Sequence, residues 1–423
     1  MSGILLKNVI RGGVVSDILI RDSRIAEISD AGILMPAEGD EVVDCAGKTA
    51  IPGFVNMHLH AGMSMMRGVG EDVAFHEWID RIWRLEKGID AEYVYHATKV
   101  ACLEMIKTGT TTFNDHYWYM PMAYKAAAEM GLRSVLAYVV CDRNDPAESE
   151  RQKLQCAETY ALSQSWGSDL ANFAVAIHAI YSVSEPMIIW ATEFARSHGA
   201  RIHIHLSETQ KEIEDCMRIH GMSPVEYLDS LGVLGPDVIA AHTLWLSDRD
   251  VEILGKRGVT CVHNVNSNLK LASGYMFRYK ELKEAGANVC LGTDGCASSN
   301  NLDMLETMKT SALIQKAWRD DPSAMPIHEI MDMVTCNAGK GLGLEIGEIR
   351  KGALADILLV DTDSYSFLSP ADFEANLIYS AHSECIDSVI CNGRFVMRNR
   401  VVENEKKIIS EARKVMDRPV SRS

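Results

Sequence analysis

The chain has 423 residues, 47% of them hydrophobic and 24% charged, with a formal net charge of −16. That length suits a barrel of about 250 residues with a smaller companion. The negative field argues against nucleic acid or an anionic membrane surface as a partner, and no run approaches the roughly 18 consecutive apolar residues of a membrane span. The opening MSGILLKNVIRGGVV lacks a long apolar core and a small-residue cleavage site, so no signal peptide is expected. Eleven cysteines without C-x-x-C pairs fit reduced thiols and a cytoplasmic protein.

In chain order, the first fifty residues read as short strands. ILLKNVI, VVSDILIRDSRIAEISD and EVVDCAGKTAI alternate apolar and polar residues around Gly12-Gly13 and Gly47, which suits a small antiparallel sheet. From Ile51 strands alternate with helices. IPGFVNMHLH, KTGTTTFNDH, LRSVLAYVVCD, NFAVAIHAIYS, ARIHIHLSET, DVIAAHTLWLS, VTCVHNVNSN and ANVCLGTDGCAS are apolar runs ending in chemically capable residues. Helical stretches such as AEYVYHATKVACLEMIK and SPVEYLDSLGVL separate them. Eight such units predict a (β/α)₈ barrel, an α/β fold. After about residue 345 the strand texture returns in GEIRKGALADILLVDTDS and DSVICNGRFVMRNRVV, and KKIISEARKVMDR reads as a closing amphipathic helix. The expected division is a small β-sandwich-like domain from 1–50 and 346–423, built from both termini, around a barrel of 51–345.

His58 and His60 close the first barrel run. Residues two apart on a strand share a face, so both imidazoles converge on the barrel mouth, where barrel active sites lie. Alone, an H-x-H is as well explained by polar surface. Three further runs end alike, with His203, His205 and Glu208, with His242, and with Asp294. Imidazole and carboxylate are ordinary ligands of Zn²⁺ and Fe²⁺, so the strand ends together point to a metal. Glu208 suits general acid–base work, against a second reading as a helix N-terminal residue within S-E-T-Q-K-E. His203 is read as structural, turned to the face opposite His205. No role is assigned to Cys290 or Cys296, and His263 is read as a hydrogen-bonded structural residue.

The series PGFVNMHLH, HLSET, AAH and LGTDG resembles the amidohydrolase superfamily in motif and order, over nearly the whole chain. The resemblance implies that His58, His60, His205 and Asp294 hold a metal. Glu208 and His242 are then catalytic, and Asp294 also accepts a proton. Two-metal members carry a carboxylated lysine at the end of the fourth strand, where this chain has His178. One divalent ion is therefore expected, Zn²⁺ first and Fe²⁺ second, with His178 facing substrate.

HAGMSMMRGVGEDVAFHEWID, LEKGID, NSNLKLASG and LGTDGCASSNNLDM resemble the branch that deaminates 5′-methylthioadenosine and S-adenosylhomocysteine. In that branch a loop glutamate grips the ribose hydroxyls, and Glu86 matches it; the competing reading is a solvated charge paired with Lys87 or Arg84. The branch meets the amino-acid carboxylate with arginines. Tyr138 stands at one of those positions and Arg151 is the candidate for the other, so the expected substrates lean to methylthioadenosine, 5′-deoxyadenosine or adenosine. Trp78, Trp83, Tyr117 and Trp118 form either an apolar wall for the 5′ substituent or plain core. The implied reaction is deamination at C6, with Glu208 protonating N1 while His242 and Asp294 handle the proton of the attacking water. The alternatives are a triazine, pterin or oxidised-purine aminohydrolase of the same branch, a cyclic amide hydrolase, and a non-catalytic binding protein. A homo-oligomer acting on a small molecule is expected by analogy.

Overall fold

The computed structural model describes residues 3–167 and 170–418. Strands β1 (Ile4–Arg11), β2 (Val14–Arg21), β3 (Arg24–Asp30), β4 (Glu41–Asp44) and β5 (Lys48–Pro52) come first. Gly12 and Gly13 both take positive φ, 54° and 78°, the conformation a two-residue turn needs to match the twist of β1 and β2. The apolar run from Ile51 to His60 is divided: Ile51 and Pro52 finish β5 in the small sheet, and β6 (Phe54–Leu59) begins the barrel.

β7 (Thr110–Tyr117), β8 (Arg133–Val140), β9 (Ala171–Ile177), β10 (Arg201–Leu206), β11 (Val238–His242), β12 (Thr260–His263) and β13 (Asn288–Leu291) follow β6 in spatial order as in sequence, each parallel to the last. Every position of β7 and β8 is buried, because helices cover the outside while side chains fill the interior. The circle closes where Asp294 N donates to His58 O at 2.9 Å and the Asn56 amide pairs with Thr293. The eight runs read from sequence are the eight strands of this (β/α)₈ barrel.

β14 (Ile357–Asp361), β15 (Ile386–Cys391) and β16 (Arg394–Met397) return to the first sheet. β14 lies antiparallel to β5, with Ile357 opposite Pro52 and Asp361 opposite Lys48, so strands from both termini form one mixed sheet. A buried ion pair locks this sheet under the barrel: Arg133, at the start of β8, donates to both carboxylate oxygens of Asp356 at 3.0 and 3.2 Å. Bidentate geometry compensates the guanidinium for lost water. The closing helix, Glu405–Met416, is tied to the Ala91–Lys107 helix through Lys107 and Glu405 at 2.9 Å. One further helix, Phe75–Glu86, lies in the long connection between β6 and β7, and its buried side is a wall of the site. None of the described helices is long and apolar enough to cross a membrane.

Candidate active site

The C-terminal ends of the barrel strands converge on a cluster of buried imidazoles and carboxyls. His60 Nδ1 meets the His116 carbonyl at 2.6 Å, and His205 Nδ1 meets the His178 carbonyl at 2.8 Å. A carbonyl only accepts, so each Nδ1 carries the proton and each Nε2 turns a lone pair inward. Asp294 Oδ1 lies 3.5 Å from His58 Nε2 and 3.2 Å from His60 Nε2. His58 Nε2 is buried without a hydrogen-bond partner among the described residues, as expected for a ligand atom. Donor atoms of His58, His60 and Asp294 lie within 4.8 Å of one another, as do those of His58, His205 and His242. Imidazoles and one carboxylate, oriented from behind and buried together, suit a divalent cation such as Zn²⁺.

The backbone is strained where it delivers these groups. Ser207, His242, Thr243 and Asp294 all have positive φ, 53°, 74°, 44° and 65°, conformations held only where the surroundings over-determine them. At Asp294 the surroundings are evident. Ser267 donates to Oδ2 at 2.6 Å and Gly295 N to Oδ1 at 2.7 Å. Two residues earlier only glycine fits: a Cβ on Gly292 would stand 2.6 Å from Asn264 Oδ1 and 2.8 Å from His58 N.

His242 receives the Asn268 amide on Nδ1 at 2.9 Å, which leaves its proton on Nε2, 3.8 Å from Glu208 Oε2. Burial lowers the His242 pKa to about 3, so the ring is neutral. Glu208 sits before the helix Gln210–His220, whose N-cap is Thr209. Its carboxyl therefore faces the cavity instead of capping the helix. Burial raises its pKa well above the usual range, and the charges of Asp294 and Glu212 add to this. A carboxyl so placed holds its proton to higher pH than an ordinary one.

One expectation is corrected. His203 does not turn away from His205: residues two apart on a strand share a face, and His203 Nε2 lies 2.8 Å from His58 Nδ1. It braces a predicted ligand from behind. His116, at the end of β7, received no role from the sequence, yet its ring stacks on His205 at 4.3 Å and lines the cavity. The strand-end pattern that exposed His58 and His242 was the available signal for it. His263 stacks on Phe277 at 4.2 Å, away from the cavity lining. Cys290 and Cys296 are buried, the latter against Arg67.

A cavity of about 570 Å³, counting space open to solvent, rises from the imidazole floor. Trp78, Trp83, Tyr117 and Trp118 line its walls, so these aromatics are a wall and not only core. Glu86 lines it too, at the last turn of the Phe75–Glu86 helix, and accepts the Tyr117 hydroxyl at 2.9 Å. Its partner is thus neither Lys87 nor Arg84. Burial raises the Glu86 pKa to about 7 despite Tyr117, His60 and Arg143 pulling the other way. His178 faces the same space, with Nδ1 2.7 Å from Ser182 Oγ, and burial lowers its pKa to about 3.

Tyr138 and Arg151 lie elsewhere, in an adjoining chamber that shares Trp83, Glu86 and Trp118 with the cavity. Both donate to Gln155 Oε1, at 3.0 and 2.9 Å, and Arg151 also pairs with Glu148. The same chamber holds Arg143, which the sequence did not single out. Its guanidinium sits 4.3 Å above the Trp83 ring.

Comparison with known proteins agrees with this geometry. The model of the amidohydrolase family matches residues 49–396. The chain is 42% identical over 99% of its length to 96% of a 5′-deoxyadenosine deaminase of Methanoregula boonei. It is 40% identical to a 5-methylthioadenosine/S-adenosylhomocysteine deaminase of Thermococcus sibiricus, over 93% of this chain and 94% of that one. A zinc-bound adenosine deaminase from Xanthomonas campestris superimposes with a TM-score of 0.92 at 27% identity, covering 98% of both chains.

Proposed function

The chain belongs to the amidohydrolase family, and from that premise we propose that it hydrolyses the C6 amino group of an adenosine carrying a small 5′ substituent, yielding the inosine analogue and ammonia. One observation carries this reading. Buried Glu208 and His242, 3.8 Å apart, share the floor with the predicted ligands, while a second carboxyl, Glu86, lines the same cavity. Two-ended polarity of this kind fits a purine nucleoside, with the ring over the floor and the ribose diol against Glu86. Relatives named for 5′-deoxyadenosine and for methylthioadenosine support the class.

His58, His60, His205 and Asp294 would hold a single Zn²⁺. The ion supplies Lewis acidity that makes water nucleophilic at neutral pH. The residues do the rest. Glu208 gives its proton to N1, which draws electrons from C6 and readies it for attack. As water adds at C6, the Nε2–H of His242 orients it and Asp294 takes up one proton and passes it to the amino group, which leaves as ammonia while the C6 hydroxyl returns a proton to Glu208. No covalent intermediate is needed. Positioning within the aromatic walls lowers the barrier by holding the reactants in place.

Arg151 and Tyr138 are engaged with Glu148 and Gln155, which supports methylthioadenosine, 5′-deoxyadenosine or adenosine over a substrate selected through its carboxylate. The same proposal has residues 51–345 carrying the chemistry, 1–50 with 346–423 supporting them, and the enzyme acting as a cytoplasmic homo-oligomer without nucleic-acid or membrane partners. Ammonia release measured across 5′-substituted adenosines, guanine derivatives and melamine tests it. The expected order puts the small 5′-substituted adenosines first; turnover confined to guanines or triazines would overturn the assignment.

A further inference from the structure

Glu212 is buried on the first turn of the Gln210–His220 helix, seven residues beyond the predicted ligand His205. Thr209 caps this helix by accepting from Glu212 N at 3.2 Å. Two other helices show what an acid three residues beyond the cap ordinarily does. Glu226 reaches back to the N–H of its own cap, Ser223, at 3.1 Å, and Asp250 to that of Ser247 at 2.8 Å. Glu212 reaches further. Its Oε1 accepts from Ser207 N at 3.0 Å and its Oε2 from Glu208 N at 2.9 Å.

Those two N–H groups belong to the turn that carries Glu208 into the cavity. Ser207 is left-handed there, with φ 53°, and its carbonyl accepts from Leu244 N and Trp245 N at 3.1 and 3.0 Å. The turn is thus gripped from both sides, by the chain beyond β11 and by one carboxylate. A helix needs its own cap satisfied, and Thr209 does that; the longer reach serves the residues ahead of the helix.

We propose that Glu212 is a positioning residue for Glu208, its carboxylate holding the Ser207–Glu208 backbone so that the Glu208 carboxyl meets the purine ring. This rests on the reading of Glu208 as the proton donor. Burial brings Glu212 to about 7 while the N–H groups of Glu208, Ser207 and Thr209 favour its charge, so the group is poised to serve as the acceptor its geometry shows. Displacing a reacting group by a fraction of an ångström affects turnover far more than substrate affinity.

The test is a double-mutant cycle on the metal-loaded enzyme with 5′-methylthioadenosine, comparing wild type, Glu212→Gln, Glu208→Gln and the pair. Glu212→Gln is expected to lower kcat about 10- to 100-fold, with KM moved less than about threefold and bound metal unchanged. In the Glu208→Gln background the same change should cost less than about twofold, since residues acting through one another are not additive. Equal losses in both backgrounds, or a kcat within about twofold of wild type, would overturn the inference. Should Glu212→Gln fail to fold, Glu212→Asp, which keeps the charge but shortens the reach, is put through the same cycle under the same criteria. A wild-type enzyme silent on every adenosine sinks the reading of Glu208 itself, whereas an active one with an indifferent Glu212 sinks only this inference.

Discussion

The inner cavity and the outer chamber share Trp83, Glu86 and Trp118, yet they are held in place in different ways. Inside, the groups that face the floor are oriented from behind: His60 and His205 by carbonyls, His242 by Asn268, Asp294 by Ser267. Outside, Arg151 is more than half exposed and pairs with Glu148 one turn away on its own helix. Exposed pairs of that kind contribute little and rearrange readily. Groups at the strand ends are thus fixed by buried hydrogen bonds, whereas the outer chamber is lined by side chains that cost little to change.

The largest effect is expected at the floor. Removing the metal with a chelator, or replacing Asp294 by Ala, should cost several kcal/mol, at least about 10³-fold in kcat/KM, with the ion restoring activity only to the wild type. Metal analysis beside kinetics checks it. Glu208→Gln comes next: an expected loss of about 10²- to 10⁴-fold in kcat with the ion retained. Wild-type rates in that variant would place the proton donor elsewhere.

Glu86 lies between the two regions, and its effect should be intermediate. Glu86→Gln removes a charged acceptor, so kcat/KM for methylthioadenosine should fall about 10- to 100-fold, mostly through KM. The 2′-deoxy analogue, lacking half the diol, should lose less. Burial raises the Glu86 pKa to about 7, so the carboxylate forms as pH rises through that value and is lost as pH falls. KM should therefore decrease from pH 6 to 8 in the wild type and stay flat in Glu86→Gln, which titration of KM would show.

The smallest effect is expected at Arg151. Arg151→Ala should leave methylthioadenosine kinetics within about twofold, because the residue is exposed and already paired. A loss on S-adenosylhomocysteine that is many times larger would reveal the chamber as a carboxylate site.

The strand-end chemistry was legible because it depends on local geometry. A period of two places His58 beside His60, and eight apolar runs close a barrel whatever their loops do. The same rule, applied to His203 and His205, places both on one face, and the structure shows His203 behind His58. Other features carry no local signature. Ile51 and Pro52 read as the opening of a barrel strand, but β14, about 300 residues later, captures them for the other sheet. Arg143 carried no signal in the sequence; Trp83 arrives beneath it from another connection.

Glu208 shows the limit most clearly. Its place after HLS allowed either a helix start or a proton donor. Only burial, with Asp294 and Glu212 nearby, raises its pKa. The barrel, the small sheet at its ends and the residue types at each strand end follow from periodicity along one chain. Which imidazole nitrogen faces inward, which carboxyl stays protonated and which arginine is already engaged were decided by tertiary structure. Each of these depends on a partner and a local dielectric that distant segments supply together.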